Sequence, residues 1–76
     1  MAEALRIGLI GAGAIGAWHA RIVAERPDAV LAAICDIDAD RAARLAEPYG
    51  AAVFTDAASF FAEAALDGVI IASPER

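Results

Sequence analysis

Arg6 to Ala20 reads R-I-G-L-I-G-A-G-A-I-G-A-W-H-A, and this stretch decides the fold. Ile7 to Ile10 form a short apolar run of the kind that makes a buried strand. The chain then passes through Gly11-Ala12-Gly13-Ala14-Ile15-Gly16 and takes on helical character. The pattern is G-x-G-x-x-G between an expected strand and an expected helix, the setting in which it signals a phosphate-binding turn. Each glycine has a separate task. Gly11 permits the tight turn out of the strand, Gly13 has no Cβ to hold a pyrophosphate off the backbone, and Gly16 lets the helix lie close to the sheet. Unpaired N–H groups in the first helical turn, with the positive end of the helix dipole, supply an anion site. Ala12, Ala14 and Ile15 are expected to add backbone N–H groups and a close-fitting wall.

Twenty positions after Gly16, at the end of the next apolar run, stands Asp36. A carboxylate at that spacing accepts hydrogen bonds from the two hydroxyls of an adenosine ribose and repels a 2′-phosphate. Ile37 beside it offers no positive charge. Arg41 is near in sequence, but Asp38 and Asp40 are expected to offset it. The expected cofactor is NAD, preferred over NADP.

Working outward, the first helix runs from Gly13 or Ala14 to about Glu25 and is stopped by Pro27. Gly16, Ala20 and Val23 share its inward face, while Trp18, Arg21 and Glu25 point away. Ala29 to Cys35 is continuously apolar, as a parallel strand covered on both sides must be. Asp38 caps a second helix extending to about Glu47, with Ala42, Leu45 and Ala46 inward, and Gly50 suits a left-handed cap after it. Ala51 to Phe54 forms a third strand. Thr55 or Asp56 starts a third helix over about Ala57 to Ala65, in which only one of Phe60 and Phe61 can reach the core. Asp67-Gly68 turns into a fourth strand, Val69 to Ala72. The order β-α-β-α-β-α-β predicts an α/β fold: a partial, three-layer, Rossmann-like doubly wound parallel sheet of order 3-2-1-4. Strands 1 and 4 flank the point where the strand order reverses, so Ser73 and Pro74 are expected to face the glycine turn across the ligand crevice.

The 76 residues allow one small domain, and their apolar share of 61% is dominated by alanine, so the core is thin. A net charge of −5 excludes nucleic acid and anionic membrane as expected partners. A single cysteine, Cys35, gives neither a disulfide framework nor a metal cluster, and no run is long enough to span a membrane. A cytoplasmic protein is expected. The chain has no lysine, one histidine (His19) and one tyrosine (Tyr49), which leaves few groups for acid–base chemistry. His19, on the flank of the first helix, is expected to have a structural or supporting role. Trp18 is read either as a lone exposed aromatic or as a contact for another domain or a second copy.

These residues together resemble the N-terminal part of the glucose–fructose oxidoreductase/inositol dehydrogenase/MocA family. The likeness is carried by I-G-L-I-G-A-G-A-I-G, His19 three residues after Gly16, Cys35-Asp36, D-A-D-R-A at Asp38–Ala42, Tyr49-Gly50 and V-I-I-A-S-P. Ser73 replaces the usual threonine and keeps the hydroxyl. The resemblance implies an NAD(P)-dependent oxidoreductase acting on a carbinol or carbonyl of a sugar, inositol or related polyol. It also implies a catalytic lysine in an E-K-P motif and a C-terminal substrate domain, neither of which is among these 76 residues. Residues 1–76 are accordingly expected to be an NAD(P)-binding half-domain that holds the cofactor and contributes no catalytic residue. By the same resemblance Ser73 and Pro74 would help place the nicotinamide, and the substrate would be bound only by the full-length enzyme. In the expected order the fourth strand is an apolar edge, V-I-I-A, which invites pairing with a second copy, so a homo-oligomer is among the expected partners. The alternatives are a stand-alone, non-catalytic nucleotide-binding or interaction module, and a piece of another Rossmann dehydrogenase family.

Overall fold

The computed structural model describes residues 4–72. Strand β1 (Leu5–Ile10) leads into helix α1 (Ala14–Ala24), β2 (Ala29–Cys35), α2 (Ala39–Ala46) and a 3-10 turn (Glu47–Tyr49). Strand β3 (Ala52–Phe54), α3 (Ala57–Glu63) and β4 (Gly68–Ile71) follow. The strands form one parallel sheet in the order β3-β2-β1-β4. The expected α/β architecture and strand order are therefore present, with boundaries moved by one or two residues.

Local chemistry sets those boundaries. Asp38 caps α2 by accepting from the Arg41 N–H at 3.1 Å, and Asp56 caps α3 by accepting from the Ser59 N–H at 2.8 Å. Each carboxylate satisfies an N–H that the first helical turn leaves unpaired. Gly50 closes the turn after α2 at φ 67°. Helix α3 ends at Glu63, short of the expected Ala65, because Ala65 turns left-handed at φ 50°. The Arg6 side chain meets that turn, donating from Nε to the Ala65 carbonyl at 2.8 Å and from Nη2 to the Ala64 carbonyl at 3.1 Å. Arg6 and Asp67 also bond reciprocally: the Arg6 N–H donates to Asp67 Oδ2 at 2.8 Å, and the Asp67 N–H donates to the Arg6 carbonyl at 2.7 Å. One arginine thus caps α3 and aligns β4 on β1.

Two cores lie on opposite faces of the sheet. Leu9, Leu31 and Ile34 meet Ala20 and Val23 of α1 and Ala42 and Ala46 of α2 on the first face. Ala33 and Cys35 meet Phe60 and Ala64 on the second. Phe60 is fully buried and Phe61 is 59% exposed, so the two rings divide as expected. Burying a ring of that size contributes about 1.5–3 kcal/mol. Gly8, in mid-strand, makes room for it: a Cβ there would collide with the Phe60 ring and with Leu66.

Strand β2 does not alternate regularly. Ile7 pairs with Leu31 but Gly8 pairs with Ala33, which leaves Ala32 as an extra residue in a bulge. Leu31 and Ile34 therefore face the same core across an odd interval, and Cys35 falls on the opposite side. Helix α3 covers β2 and β3 on the second face. The same face of β4 stays uncovered there, with Val69 exposed and Ile71 71% exposed.

Candidate functional site

The carboxyl ends of the four strands open into a cleft of about 680 Å³. Its walls come from the glycine turn, from Cys35 to Ile37 after β2, from Thr55 to Ala57 after β3, and from Ile71 and Ala72 on β4. His19 and Arg41 reach in from the helices. Five of the expected site residues, Gly11 to Ile15, line it together with Asp36. Gly16 lies behind them, buried. Ser73 and Pro74 fall outside the described residues; the β4 side of the rim is formed by Ala72, whose N–H donates to the Ile10 carbonyl at 2.8 Å.

The three glycines differ in environment. Gly11 adopts φ 103°, a backbone region that residues with a Cβ rarely enter, and its N–H ties the turn to β2 through the Cys35 carbonyl at 2.9 Å. A Cβ on Gly16 would run into the Gly11 carbonyl. Gly16 thus allows a close backbone approach of helix to turn, and Leu9 of β1 lies within ordinary contact of the same position. A Cβ on Gly13 would meet nothing within 4 Å, since Gly13 fronts the open cleft. From Gly13 the helix begins, its first internal bond running from the Ala17 N–H to the Gly13 carbonyl at 2.8 Å. The N–H groups of Ala14, Ile15 and Gly16 precede that bond and have no partner within the helix.

Asp36 is the buried charge of the site, 8% exposed. Its Oδ2 accepts from the Ala12 N–H at 2.8 Å. Its Oδ1 accepts from the Asp38 N–H at 2.8 Å and from Arg41 Nη2 at 3.0 Å. Burial works against the charged carboxylate, but the Arg41 hydrogen bond and the two backbone N–H groups outweigh it and hold the pKa below the usual value. Two expectations change here. The Ala12 N–H is spent on Asp36 and not directed at a phosphate. Arg41 is offset mainly by Asp36 itself, with the charge of Asp38 a lesser influence, because the first turn of α2 brings its guanidinium back over the strand end. Three of the roughly four acceptor positions of the carboxylate are filled, and one remains on Oδ2.

Cys35, inward on β2, is buried, and burial followed by the charges of Asp56 and Asp36 pushes its thiol pKa up. That keeps it an unreactive thiol. Sequence reasoning missed two features of the cleft: the Asp36–Arg41 pair and the contribution of Thr55 and Asp56 after β3. The signal for the second was present, since in a 3-2-1-4 order the end of β3 lies beside the end of β2.

Residues 5–76 match the family model described as the Gfo/Idh/MocA oxidoreductase family, NAD-binding Rossmann fold. The chain belongs to this family. Inositol 2-dehydrogenase from Corynebacterium glutamicum (strain ATCC 13032) is 45% identical over 76 residues, which cover 97% of this chain and 23% of that protein. Among solved structures, a myo-inositol dehydrogenase from C. glutamicum ATCC 13032 superposes with a TM-score of 0.88 at 44% identity, covering 93% of this chain and 21% of that one. Scyllo-inositol dehydrogenase from Lactobacillus casei, solved with NAD(H) and scyllo-inositol bound, gives 0.86 at 28% identity, covering 95% and 22%. The 76 residues thus span about a fifth of the length of these family members. Among the described residues no helix is long and apolar enough to cross a membrane, and no group of side chains could hold a metal ion.

Proposed function

We propose that residues 1–76 are the NAD-binding half-domain of a cytoplasmic oxidoreductase that moves a hydride at a carbinol or carbonyl of a cyclic polyol such as inositol. The observation that carries this reading is the joint presence, in one cleft, of Gly13 with open space before its α-carbon and Asp36 held charged with one acceptor position open. The first supports a diphosphate against the backbone, and the second supports a ribose hydroxyl.

In this reading Gly11, Gly13 and Gly16 shape the turn, and the N–H groups of Ala14, Ile15 and Gly16 receive the diphosphate. Ala12 orients Asp36, whose carboxylate takes the adenosine ribose. A second ribose hydroxyl reaches the carboxylate only where Arg41 releases Oδ1. Ser73 and Pro74 are proposed to flank the nicotinamide. The bound cofactor supplies the hydride chemistry, and this chain supplies its binding and orientation. No catalytic residue is assigned here, so substrate binding and proton transfer belong to the rest of the longer enzyme. A buried negative charge at the ribose favours NAD over NADP, and the Arg41 guanidinium beside it narrows the margin.

Titration of the 76-residue chain with NAD and with NADP, followed by amide NMR, tests the reading. The expected result is movement of the Gly11–Gly16 and Asp36 peaks, larger with NAD. Dispersed peaks that respond to neither nucleotide would overturn it.

A further inference from the structure

His19 is the one titratable side chain of α1 that lines the cleft, where it is half-buried beside Ile15 four residues earlier. Helical side chains lean toward the helix N-terminus and cover the preceding turn. The imidazole of residue 19 therefore hangs over the turn that carries the unpaired N–H groups of Ala14, Ile15 and Gly16. The Trp18 ring packs edge-on against it, with centroids 5.0 Å apart at 66°, and restricts where it can turn.

The charge balance of the cleft gives this placement a consequence. Asp36 and Asp56 bring two carboxylates to the cleft, and the buried Cys35 is a neutral thiol. Arg41 is engaged with Asp36. On the strands that α1 covers, Arg6 is held at the Ala64 and Ala65 carbonyls. On α1 Arg21 is exposed, as is Glu25 at its C-terminal cap, and neither is part of the cleft wall. A dinucleotide diphosphate adds two negative charges to this acidic surround. Among the described residues, His19 is the side chain left to answer them.

We infer that His19 is a cofactor-binding residue whose imidazole hydrogen-bonds the diphosphate as a cation, so that dinucleotide binding takes a proton up onto His19. The inference rests on the nucleotide-site reading above and adds to it a named contact and a pH dependence. The diphosphate of NAD is esterified at both ends and does not titrate near neutrality, so the proton taken up belongs to the protein. Histidine is the side chain whose charge ordinarily changes between about pH 5 and 8, and losing one charge-assisted hydrogen bond to the diphosphate weakens binding about tenfold.

Calorimetry of NAD, ADP-ribose and adenosine binding to the 76-residue chain, between pH 5.5 and 8.5 in buffers of different ionisation enthalpy, provides the test. The expected result is proton uptake with NAD and ADP-ribose but not with adenosine, and a tenfold loss of NAD affinity across the range. His19→Gln should bind with the weaker, high-pH affinity throughout. His19→Arg should bind with nearly the low-pH affinity throughout. A flat wild-type profile, or a His19→Gln variant weakened equally at every pH, overturns the inference while leaving the nucleotide site in place. Absence of NAD binding by the wild type at every pH overturns both.

Discussion

Gly16 and Gly11 touch backbone to backbone, with no space between the Gly16 α-carbon and the Gly11 carbonyl for even one methyl group. The contact fixes where α1 begins relative to the end of β1, and with it where the first-turn N–H groups point. Gly13, three residues earlier, faces open space. Alanine at the two positions should therefore separate folding from binding. Gly16→Ala should lower stability by about 1–3 kcal/mol or more, because the obstruction is backbone and cannot rotate away. Gly13→Ala should leave the urea midpoint nearly unchanged and weaken NAD binding at least tenfold. Denaturation and NAD titration of the two variants measure both effects.

The sequence disclosed the glycine turn and the strand order because both rest on local rules: glycine where a Cβ cannot fit, and apolar runs broken at proline, glycine and capping aspartates. It disclosed Asp36 by spacing. It could not disclose that the Ala12 N–H and the Arg41 guanidinium converge on that carboxylate, since these contacts depend on how far α2 swings back over β2. Gly8 was legible only as part of an apolar run. The need for a glycine there comes from Phe60, 52 residues away in sequence and directly above it in space.

Asp36 makes stability depend on pH. Its folded-state pKa lies below the usual 3.8, so its contribution is present above that value and is lost as pH falls through the lower folded value. The urea midpoint of the wild type should fall as pH is taken below about 4. Asp36→Asn should start lower at neutral pH and show a shallower decline over the same window.

Arg41 shares Oδ1 with the Asp38 N–H and fills a position that a second ribose hydroxyl could use. Its charge also softens the repulsion of a 2′-phosphate. Arg41→Ala should widen the ratio of NAD to NADP affinity several-fold, mainly by weakening NADP. Parallel titrations with the two nucleotides give the ratio directly.

Ala65 occupies the left-handed region at φ 50° immediately after the α3 cap. Glycine reaches that conformation without the steric penalty of a Cβ. Ala65→Gly should raise stability by up to about 1 kcal/mol, visible as a higher thermal midpoint.

Strand β4 lies at an edge of the sheet, with Val69 and Ile71 exposed on the α3 side but beyond the reach of that helix, which covers β2 and β3. An apolar edge of this kind pairs readily with a second copy. Sedimentation of the 76-residue chain should show association that grows with concentration, and Val69→Lys should suppress it.

The extra residue in β2 has a consequence for how this strand can change over time. Ala32 breaks the parity of the strand, so the side chains before it and those after it obey separate alternations. Substitutions that re-pair the early half against Leu5 to Ile7 need not disturb the later half, which ends at Asp36. The bulge acts as slack in the chain. It lets the base of the sheet drift in sequence while the carboxylate at its far end stays in register with the turn it serves.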